Sequence, residues 1–387
     1  MPRHRMTIRT LAAIALATAV LTTLAFSAAQ GARAGRRHRL LRGWRTDTTR
    51  RSIDLRELTS GGPGKDGIPA IHRPRFLKIE TAQRWLGPKE PVISLKIGDE
   101  SRAYPLQVLM WHEIVNDTLG GVPVAVTFCP LCYTADVFDR RVDEKVLTFG
   151  VSGFLRASNM IMYDRQTESL WQQALGEAVV GELTGSTLKR LPAQIISFQQ
   201  FRQAHPDGIV LSRQTGYRRP YGRNPYAGYD RAGQSPVALS REDRKGLLPR
   251  ELLVTLSIDG TDKAYRHRDT KALGAVNDKV GGVPLVVLHG RGAVSAMDQA
   301  RIAASREIGS TGVFDRRLDD RALTFRYEDG RFHDDQTNSR WDITGKAIEG
   351  PLEGRQLTAI PHGDYFAFVW LVFRPETEVF ASPENDK

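Results

Sequence analysis

The second half of this 387-residue chain repeats motifs of the first half in the same order, and this repetition constrains the fold more than any other feature. The matching segments are 102–104 with 263–265, 115–117 with 276–278, 120–123 with 281–284, 137–141 with 313–317, 147–149 with 323–325, and 164–171 with 334–341. The offset between the halves drifts only slightly along the chain. The pattern therefore predicts one structural unit used twice.

Each unit shows short apolar or alternating segments separated by turn residues, which is typical of β-strands. Residues 91–97 and 101–104 predict a hairpin, and 122–128 predicts a buried strand. Residues 105–116 carry apolar side chains at helical spacing, and 197–204 predict a second helix capped by Ser197. We therefore predict a mainly β, β-rich α+β protein in which each unit is a short-stranded sheet, sandwich or barrel-like body with a packed helix.

The predicted organisation has five parts. They are a signal peptide or membrane anchor at 1–29, a basic flexible linker at 30–67, a first unit at 68–212, a connector rich in Tyr, Pro and Gly at 213–250, and a second unit at 251–387.

The net charge of +11 does not indicate a nucleic-acid-binding body, because the excess is local. Eleven of the 55 basic residues but only one of the 44 acidic residues lie within 1–51, so the remainder is close to neutral. The basic opening and the apolar run at 10–29 have the layout of a secretory signal peptide. The run is also long enough to span a membrane and hold the protein there as an uncleaved anchor. We expect an exported periplasmic or cell-envelope protein whose residues 33–51 contact anionic membrane surfaces.

The only two cysteines, Cys129 and Cys132, follow the buried strand and are separated by Pro130 and Leu131. Two thiols at this spacing can bind a soft metal ion, cycle as a dithiol, or close a local disulfide. At the corresponding positions of the second half stand Gly290 and Ala293. Since the second half should fold in the same way without them, the cysteines indicate chemistry in the first unit.

A metal site is the first hypothesis. His112 lies on the predicted helix just before the cysteine strand, a short turn away, and Met160 and Met162 share one face of a later strand. With Cys129 and Cys132, the ligands His112 and Met162 would suit copper or zinc. Glu113, Ser152, Met160 and Asp164 are further candidates for lining this site. Histidine and methionine at such positions are also common as ordinary core residues.

Three other functions stay open at this point. One is a thiol–disulfide oxidoreductase in which Cys129 attacks and Cys132 resolves, although the motif does not open a helix as in thioredoxin-like sites. A second is a scaffold with a structural cysteine pair, whose Tyr217–Tyr229 connector contacts a partner or glycan. A hydrolase built on Ser152, Asp164, Glu168 and His112 is less favoured, because no Gly-x-Ser-x-Gly element is present.

Several motifs in order make the chain similar to a known family. They are Glu100 to Pro105, Trp111 to Asp117, Thr127 to Cys132, Phe149 to Gly153, and Met162 to Thr167. On these residues the chain resembles the bacterial domain-of-unknown-function family 3179, from about Pro91 to Phe380. The resemblance implies an exported or membrane-attached bacterial protein and carries no established activity. Tyr133 departs from the small polar residue, such as Asn, expected of relatives at that position.

Overall fold

The computed structural model describes residues 39–233 and 246–381. The predicted signal or anchor at 1–29 therefore lies outside the described residues, as do 30–38 of the predicted linker and 234–245 of the predicted connector. Within the described ranges, no helix combines the length and the hydrophobicity needed to cross a membrane.

The helices in these ranges are short. The α-helices are α1 (Ile79–Ala82), α2 (Leu106–His112), α3 (Phe198–Ala204), α4 (His267–Leu273) and α5 (Ala367–Phe373). The 3₁₀ helices are Arg39–Leu41, Leu55–Glu57, Pro130–Cys132 and Ile302–Ala304.

Strands dominate the first half. They are β1 (Thr59–Ser60), β2 (Phe76–Lys78), β3 (Pro91–Ile97), β4 (Glu100–Pro105), β5 (Ile114–Leu119), β6 (Val122–Cys129), β7 (Thr134–Asp139), β8 (Arg141–Val142), β9 (Lys145–Val146), β10 (Phe149–Arg156), β11 (Asn159–Asp164), β12 (Leu170–Gln172), β13 (Glu177–Val180), β14 (Arg190–Leu191), β15 (Gln194–Ser197) and β16 (Ile209–Leu211). They form three main sheets, ordered β15-β3-β4-β16-β2, β14-β7-β6-β5 and β1-β10-β11-β12-β13, with β8 and β9 as a separate ribbon.

Strands also dominate the second half. They are β17 (Leu252–Ile258), β18 (Thr261–Arg266), β19 (Ala275–Val280), β20 (Val283–Gly290), β21 (Ser310–Asp315), β22 (Arg317–Leu318), β23 (Arg321–Ala322), β24 (Phe325–Glu328), β25 (Arg331–Asp334), β26 (Arg340–Trp341), β27 (Ala347–Glu349), β28 (Thr358–Ala359), β29 (Gly363–Phe366) and β30 (Glu378–Val379). Their main sheets are ordered β29-β17-β18-β30, β19-β20-β21-β28 and β24-β25-β26-β27, and β22 pairs with β23.

The two sets of sheets have the same strand order, apart from the extra β1 and β2 of the first half. Strand register therefore shows which positions of the two units are equivalent. Phe128 lies opposite Ala135 on β6 and β7, and His289 lies opposite Thr311 on β20 and β21, so Phe128 corresponds to His289 and Ala135 to Thr311. Common origin of the halves by duplication stays a prediction. The barrel-like alternative was wrong, since no sheet in the described part of the chain closes into a barrel.

The hydrophobic core crosses between the units. One cluster joins Phe128 and both cysteines of the first unit to Phe366 and Trp370 of the second. Another joins Phe198 and Phe201 to residues of β20, β21 and β24. Burial of apolar surface on both sides therefore holds the two units together.

The N-terminal segment requires a correction. We predicted a flexible linker up to residue 67, but from residue 39 onward the chain packs on the first unit. Leu41, Trp44, Leu55 and Leu58 are buried in a cluster with residues of β10 to β13. The basic composition suggested a solvated segment, yet the four apolar side chains are spaced so that they can cover one edge of that sheet while the arginines face outward.

Candidate functional site

Strand β6 places Cys129 at its end, and Pro130 starts a single 3₁₀ turn that brings Cys132 back toward it. Tyr133 then takes a left-handed conformation, with φ 55°, which turns the chain into β7. The Cα atoms of the cysteines lie 5.4 Å apart, and the two sulfur atoms form a disulfide. Cys129 is 2% exposed and Cys132 is fully buried, while Leu131 between them is partly exposed.

The immediate surroundings of Cys132 are polar. The side-chain amide of Asn159 donates to Sγ of Cys132 over 3.3 Å. The carbonyl oxygen of Ser158 lies 3.2 Å from the same sulfur. Both residues belong to the tip of the β10–β11 hairpin, where Ala157 and Ser158 have positive φ. The hairpin tip thus places one donor and one acceptor at a single sulfur atom.

A buried amide network holds Asn159 in place. Its Nδ2 also donates to Oε1 of Gln173 over 2.8 Å, and its Oδ1 accepts a hydrogen bond from Nε2 of Gln172. Gln173 in turn donates to Oγ1 of Thr127 over 2.9 Å. Asn159, Gln172, Gln173 and Thr127 are fully buried. Such a network fixes the amide orientation, because every alternative leaves buried polar groups unpaired.

The corresponding positions of the second half lack this network. By strand register, Thr127 corresponds to Leu288, and by the shared Trp171 and Trp341 positions Gln173 corresponds to Ile343. Both replacements are buried and apolar. The polar network is therefore found in the half that has the cysteines and is replaced by apolar residues at these two positions of the half that lacks them. Sequence reasoning missed Asn159, Gln172 and Gln173, although a comparison of the two halves at these positions would have found Gln173.

His112 is buried and bonded on both sides of its ring. Its Nδ1 lies 2.7 Å from the carbonyl oxygen of Pro69, and its Nε2 lies 2.7 Å from the hydroxyl of Tyr221. Burial lowers the pKa of His112 below its usual value, which the bond to Pro69 only partly opposes. In this arrangement His112 serves as a link between the first unit and the connector.

Met160 and Met162 are buried in the same hydrophobic cluster as the two cysteines. Within residues 39–233 and 246–381, no group of three or more His, Cys, Asp or Glu side chains converges on a point where it could hold a metal ion. The predicted ligand set of Cys129, Cys132, His112 and Met162 stays a hypothesis for the reduced protein.

Glu113 follows His112 and ends α2 with φ 57° and ψ −33°, an unfavourable conformation for a residue with a side chain. Its carbonyl oxygen accepts a hydrogen bond from the backbone amide of Phe128, the neighbour of Cys129. Burial raises the pKa of the Glu113 carboxyl to about 8. The corresponding position in the second unit is Gly274, with φ 68°. Glu113 thus adds a buried carboxyl that the fold does not need.

Ser152 and Asp164 have structural contacts. Ser152 lies in a β-bulge of β10, where its hydroxyl donates to the carbonyl oxygen of Ile161 and accepts from the amide of Phe154. Asp164 accepts hydrogen bonds from Thr167 and from the indole of Trp171, and Asp334 repeats these bonds with Thr337 and Trp341. Glu168 pairs with Arg45 and Lys65. These contacts give no support to the hydrolase set.

A second polar cluster was not predicted. In the second unit, His267, His289, Thr311 and Asp364 are buried beside a cavity that Tyr133 also borders. They come from α4, β20, β21 and β29, so no short sequence motif contains all four residues. A search for polar residues of the second half whose counterparts in the first half are apolar would have found them.

Together these features define a β-rich protein with two sets of sheets in the same strand order and one buried Cys-x-x-Cys disulfide in the first set. The chain belongs to the family described as "Protein of unknown function (DUF3179)", which matches residues 65–377. No curated protein and no solved structure matches the chain.

Proposed function

We propose that Cys129 and Cys132 form a thiol–disulfide redox centre. The observation that carries the proposal is the pair of polar groups at Cys132: the Asn159 amide and the Ser158 carbonyl oxygen. A disulfide sulfur has no proton to donate, so the Ser158 oxygen gains a donor there only when Cys132 becomes a thiol. The Asn159 amide would stabilise the Cys132 thiolate. The surroundings thus suit the reduced state as well as the oxidised one.

These contacts assign different roles to the two cysteines. The thiolate of a reducing partner attacks Sγ of Cys129, the slightly exposed member of the pair. The disulfide bond breaks, and its electron pair stays on Sγ of Cys132, whose thiolate the Asn159 amide stabilises as leaving group. A second thiolate of the partner then releases Cys129 and forms the partner's own disulfide. The cysteine pair gains two electrons and two protons, and the partner dithiol loses them.

The test is native-state reduction. The folded protein is incubated with dithiothreitol, quenched with an alkylating agent, and scored by mass for modified cysteines. We expect reduction without unfolding. Asn159→Leu should raise the pKa of the Cys132 thiol by about one unit relative to wild type and slow reduction roughly tenfold, because one charge-assisted hydrogen bond is lost.

Asn116→Leu is the matched control, since Asn116 is a buried amide that bonds to Phe149 and not to sulfur. It should leave the thiol pKa unchanged. If the disulfide resists dithiothreitol until the protein unfolds, the redox proposal fails and the pair is structural. Equal reduction rates in wild type and Asn159→Leu would remove the role assigned to Asn159.

Metal binding by the reduced protein is the second candidate, favoured by the burial of Met160 and Met162 in the cluster that holds both thiols. The test is elemental analysis after anaerobic reduction and reconstitution with copper(I) or zinc. Stoichiometric metal that disappears in the Cys129→Ser, Cys132→Ser double variant supports the site. Protein that stays free of metal under these conditions eliminates it.

The redox proposal includes export, on the signal-like pattern at 1–29. Mass spectrometry of the protein recovered from a bacterial envelope fraction tests it. A mature chain beginning near residue 30, or an intact anchored chain in the membrane fraction, agrees with the proposal. Recovery of the whole chain in the cytoplasm contradicts it.

A further inference from the structure

The second unit contains a buried polar cluster at positions where the first unit is apolar. By register and by element order, His267, His289, Thr311 and Asp364 correspond to Leu106, Phe128, Ala135 and Ile195. All four first-unit residues are buried in the main hydrophobic cluster. An apolar core is therefore compatible with the fold at these positions, and burying ionisable groups there costs stability that only a function would offset.

The cluster orients His267. Its Nε2 lies 2.8 Å from Oδ1 of Asp364, which also accepts a hydrogen bond from Thr311 over 3.0 Å. Burial alone would raise the pKa of Asp364, but His267 and these hydrogen bonds lower it overall. Asp364 is therefore a carboxylate, and Nε2 of His267 is the donor. The other ring nitrogen, Nδ1, is left to find a hydrogen-bond partner elsewhere.

Nδ1 of His267 is buried and has no hydrogen-bond partner among the described residues. The whole residue is 9% exposed. The neighbouring His289 cannot serve it, because its own nitrogens bond to Thr270 and to the carbonyl oxygen of Ile308. An unsatisfied buried polar atom of this kind is rare and points to a missing hydrogen-bond partner.

The imidazole borders a cavity of about 370 Å³. Leu248, Leu252 and Phe366 supply apolar wall, and helix α4 supplies His267 and Lys271 from one side. These two residues are four positions apart and so share a helix face, with Cβ atoms about 6 Å apart. Lys271 makes no ion pair within the described ranges. The three carboxylates that also border the cavity are paired: Asp230 with Arg306, Glu251 with Arg268, and Glu307 with Lys89 and Arg291. The cavity thus combines a cation without an ion pair, an unpartnered ring nitrogen and an apolar surface.

We propose that this cavity binds a small hydroxy acid with an apolar body. The carboxylate faces Lys271, the hydroxyl forms a hydrogen bond with Nδ1 of His267, and the apolar part contacts Leu248, Leu252 and Phe366. The proposed contacts use neither sulfur, although Tyr133, the neighbour of Cys132, borders the same cavity.

Three matched probes test the proposal by titration calorimetry of the full chain. Mandelate carries all three groups, phenylacetate lacks the hydroxyl, and benzyl alcohol lacks the carboxylate. We expect mandelate to bind about fivefold more tightly than phenylacetate and about fivefold more tightly than benzyl alcohol, as one hydrogen bond or one partly exposed ion pair allows.

Two variants assign the preferences to residues. Lys271→Gln should abolish the preference for mandelate over benzyl alcohol, whereas Lys279→Gln, at an exposed position that does not border the cavity, should leave it intact. The double variant His267→Leu, Asp364→Ile installs the residues of the first unit and should abolish only the preference for mandelate over phenylacetate. This double variant avoids leaving Asp364 buried without its partner.

Equal affinities of the three probes for the wild type, or the absence of binding, would overturn the proposal. So would a mandelate preference that survives Lys271→Gln or that disappears equally in Lys279→Gln.

Discussion

The phenol of Tyr365 in the second unit donates a hydrogen bond of 2.6 Å to Oδ2 of Asp136 in the first unit. Asp136 is almost fully buried, and Arg190 pairs with its other oxygen at 2.9 Å. Arg190 belongs to the first unit, so the Tyr365 hydroxyl is the partner that Asp136 has only while the two units stay together. The contact therefore couples the folding of the two units.

Tyr365→Phe should lower the free energy of unfolding by about 1–3 kcal/mol, because it leaves the buried Oδ2 of Asp136 with only the 3.5 Å hydrogen bond from Gln173. Chemical denaturation measures the change. Tyr217→Phe is the control, since Tyr217 is 48% exposed and should change stability little. Loss of less than about 0.5 kcal/mol in Tyr365→Phe would mean that water replaces the phenol.

Trp44→Ala tests the docking of the N-terminal segment. The Trp44 ring lies 5.3 Å from that of Phe154 and 5.1 Å from that of Tyr163, and the side chain is buried. Removing it should cost about 3 kcal/mol of unfolding free energy, as for other large aromatic truncations. The same denaturation measurement on Arg42→Ala, at an exposed position, should show little change. A stability equal to wild type in Trp44→Ala would mean that the segment is detached in solution.

Glu113 should make the protein less stable as pH rises. Its folded pKa of about 8 exceeds the ordinary value of 4.5, because burial disfavours the carboxylate. Between these pH values the unfolded state has released the proton while the folded state retains it. Stability therefore falls from pH 4.5 to pH 8, by up to roughly 1.4 kcal/mol per pH unit from this group.

Glu113→Gln should remove that part of the slope, as shown by denaturation at pH 5 and pH 8. Glu100→Gln, at an exposed position, provides the control. If wild type and Glu113→Gln lose stability in parallel over this range, the Glu113 carboxyl is ionised in the folded protein and the assignment is wrong.

Gly274→Ala should destabilise the second unit strongly. The new Cβ would lie 2.2 Å from ring atoms of Tyr327, and φ is 68°. Gly260 has a similar φ of 78° but open space around it. Gly260→Ala should therefore cost about 1 kcal/mol for the backbone alone, and Gly274→Ala at least about 2 kcal/mol more. Thermal unfolding of both variants gives the comparison, and equal melting temperatures would mean that Tyr327 moves aside freely.

Several local elements followed from the sequence. The strand predicted at 122–128 is β6, and the helix predicted from Ser197 is α3, with Ser197 accepting from Gln200 as its cap. The helix predicted at 105–116 ends at His112 instead. Its apolar spacing continues to Ile114, but pairing of β5 with β6 requires the chain to reverse, and Glu113 takes the strained conformation that permits it.

The site was predicted only in part. The cysteines were found because they are the only two in the chain and lack partners in the second half. Their polar surroundings were not found, because Asn159 is distant from Cys132 in sequence and meets its sulfur only in the folded chain, where Gln173 bonds to the Asn159 amide. His112 seemed available for chemistry, yet its nitrogens are engaged by Pro69 and Tyr221.

The sequence by itself determined the β-rich class, the family, and the position of the cysteine pair, because these depend on periodicity, turn residues and short motifs that act locally. Only the tertiary structure decided what surrounds each group. Hydrogen-bond partners, burial and shared core come from strands that meet across sheets and between the two units, as Asp136 meets Tyr365 and His267 meets Asp364. The local sequence pattern carries no information about these contacts, because they form only when segments distant in sequence pack together.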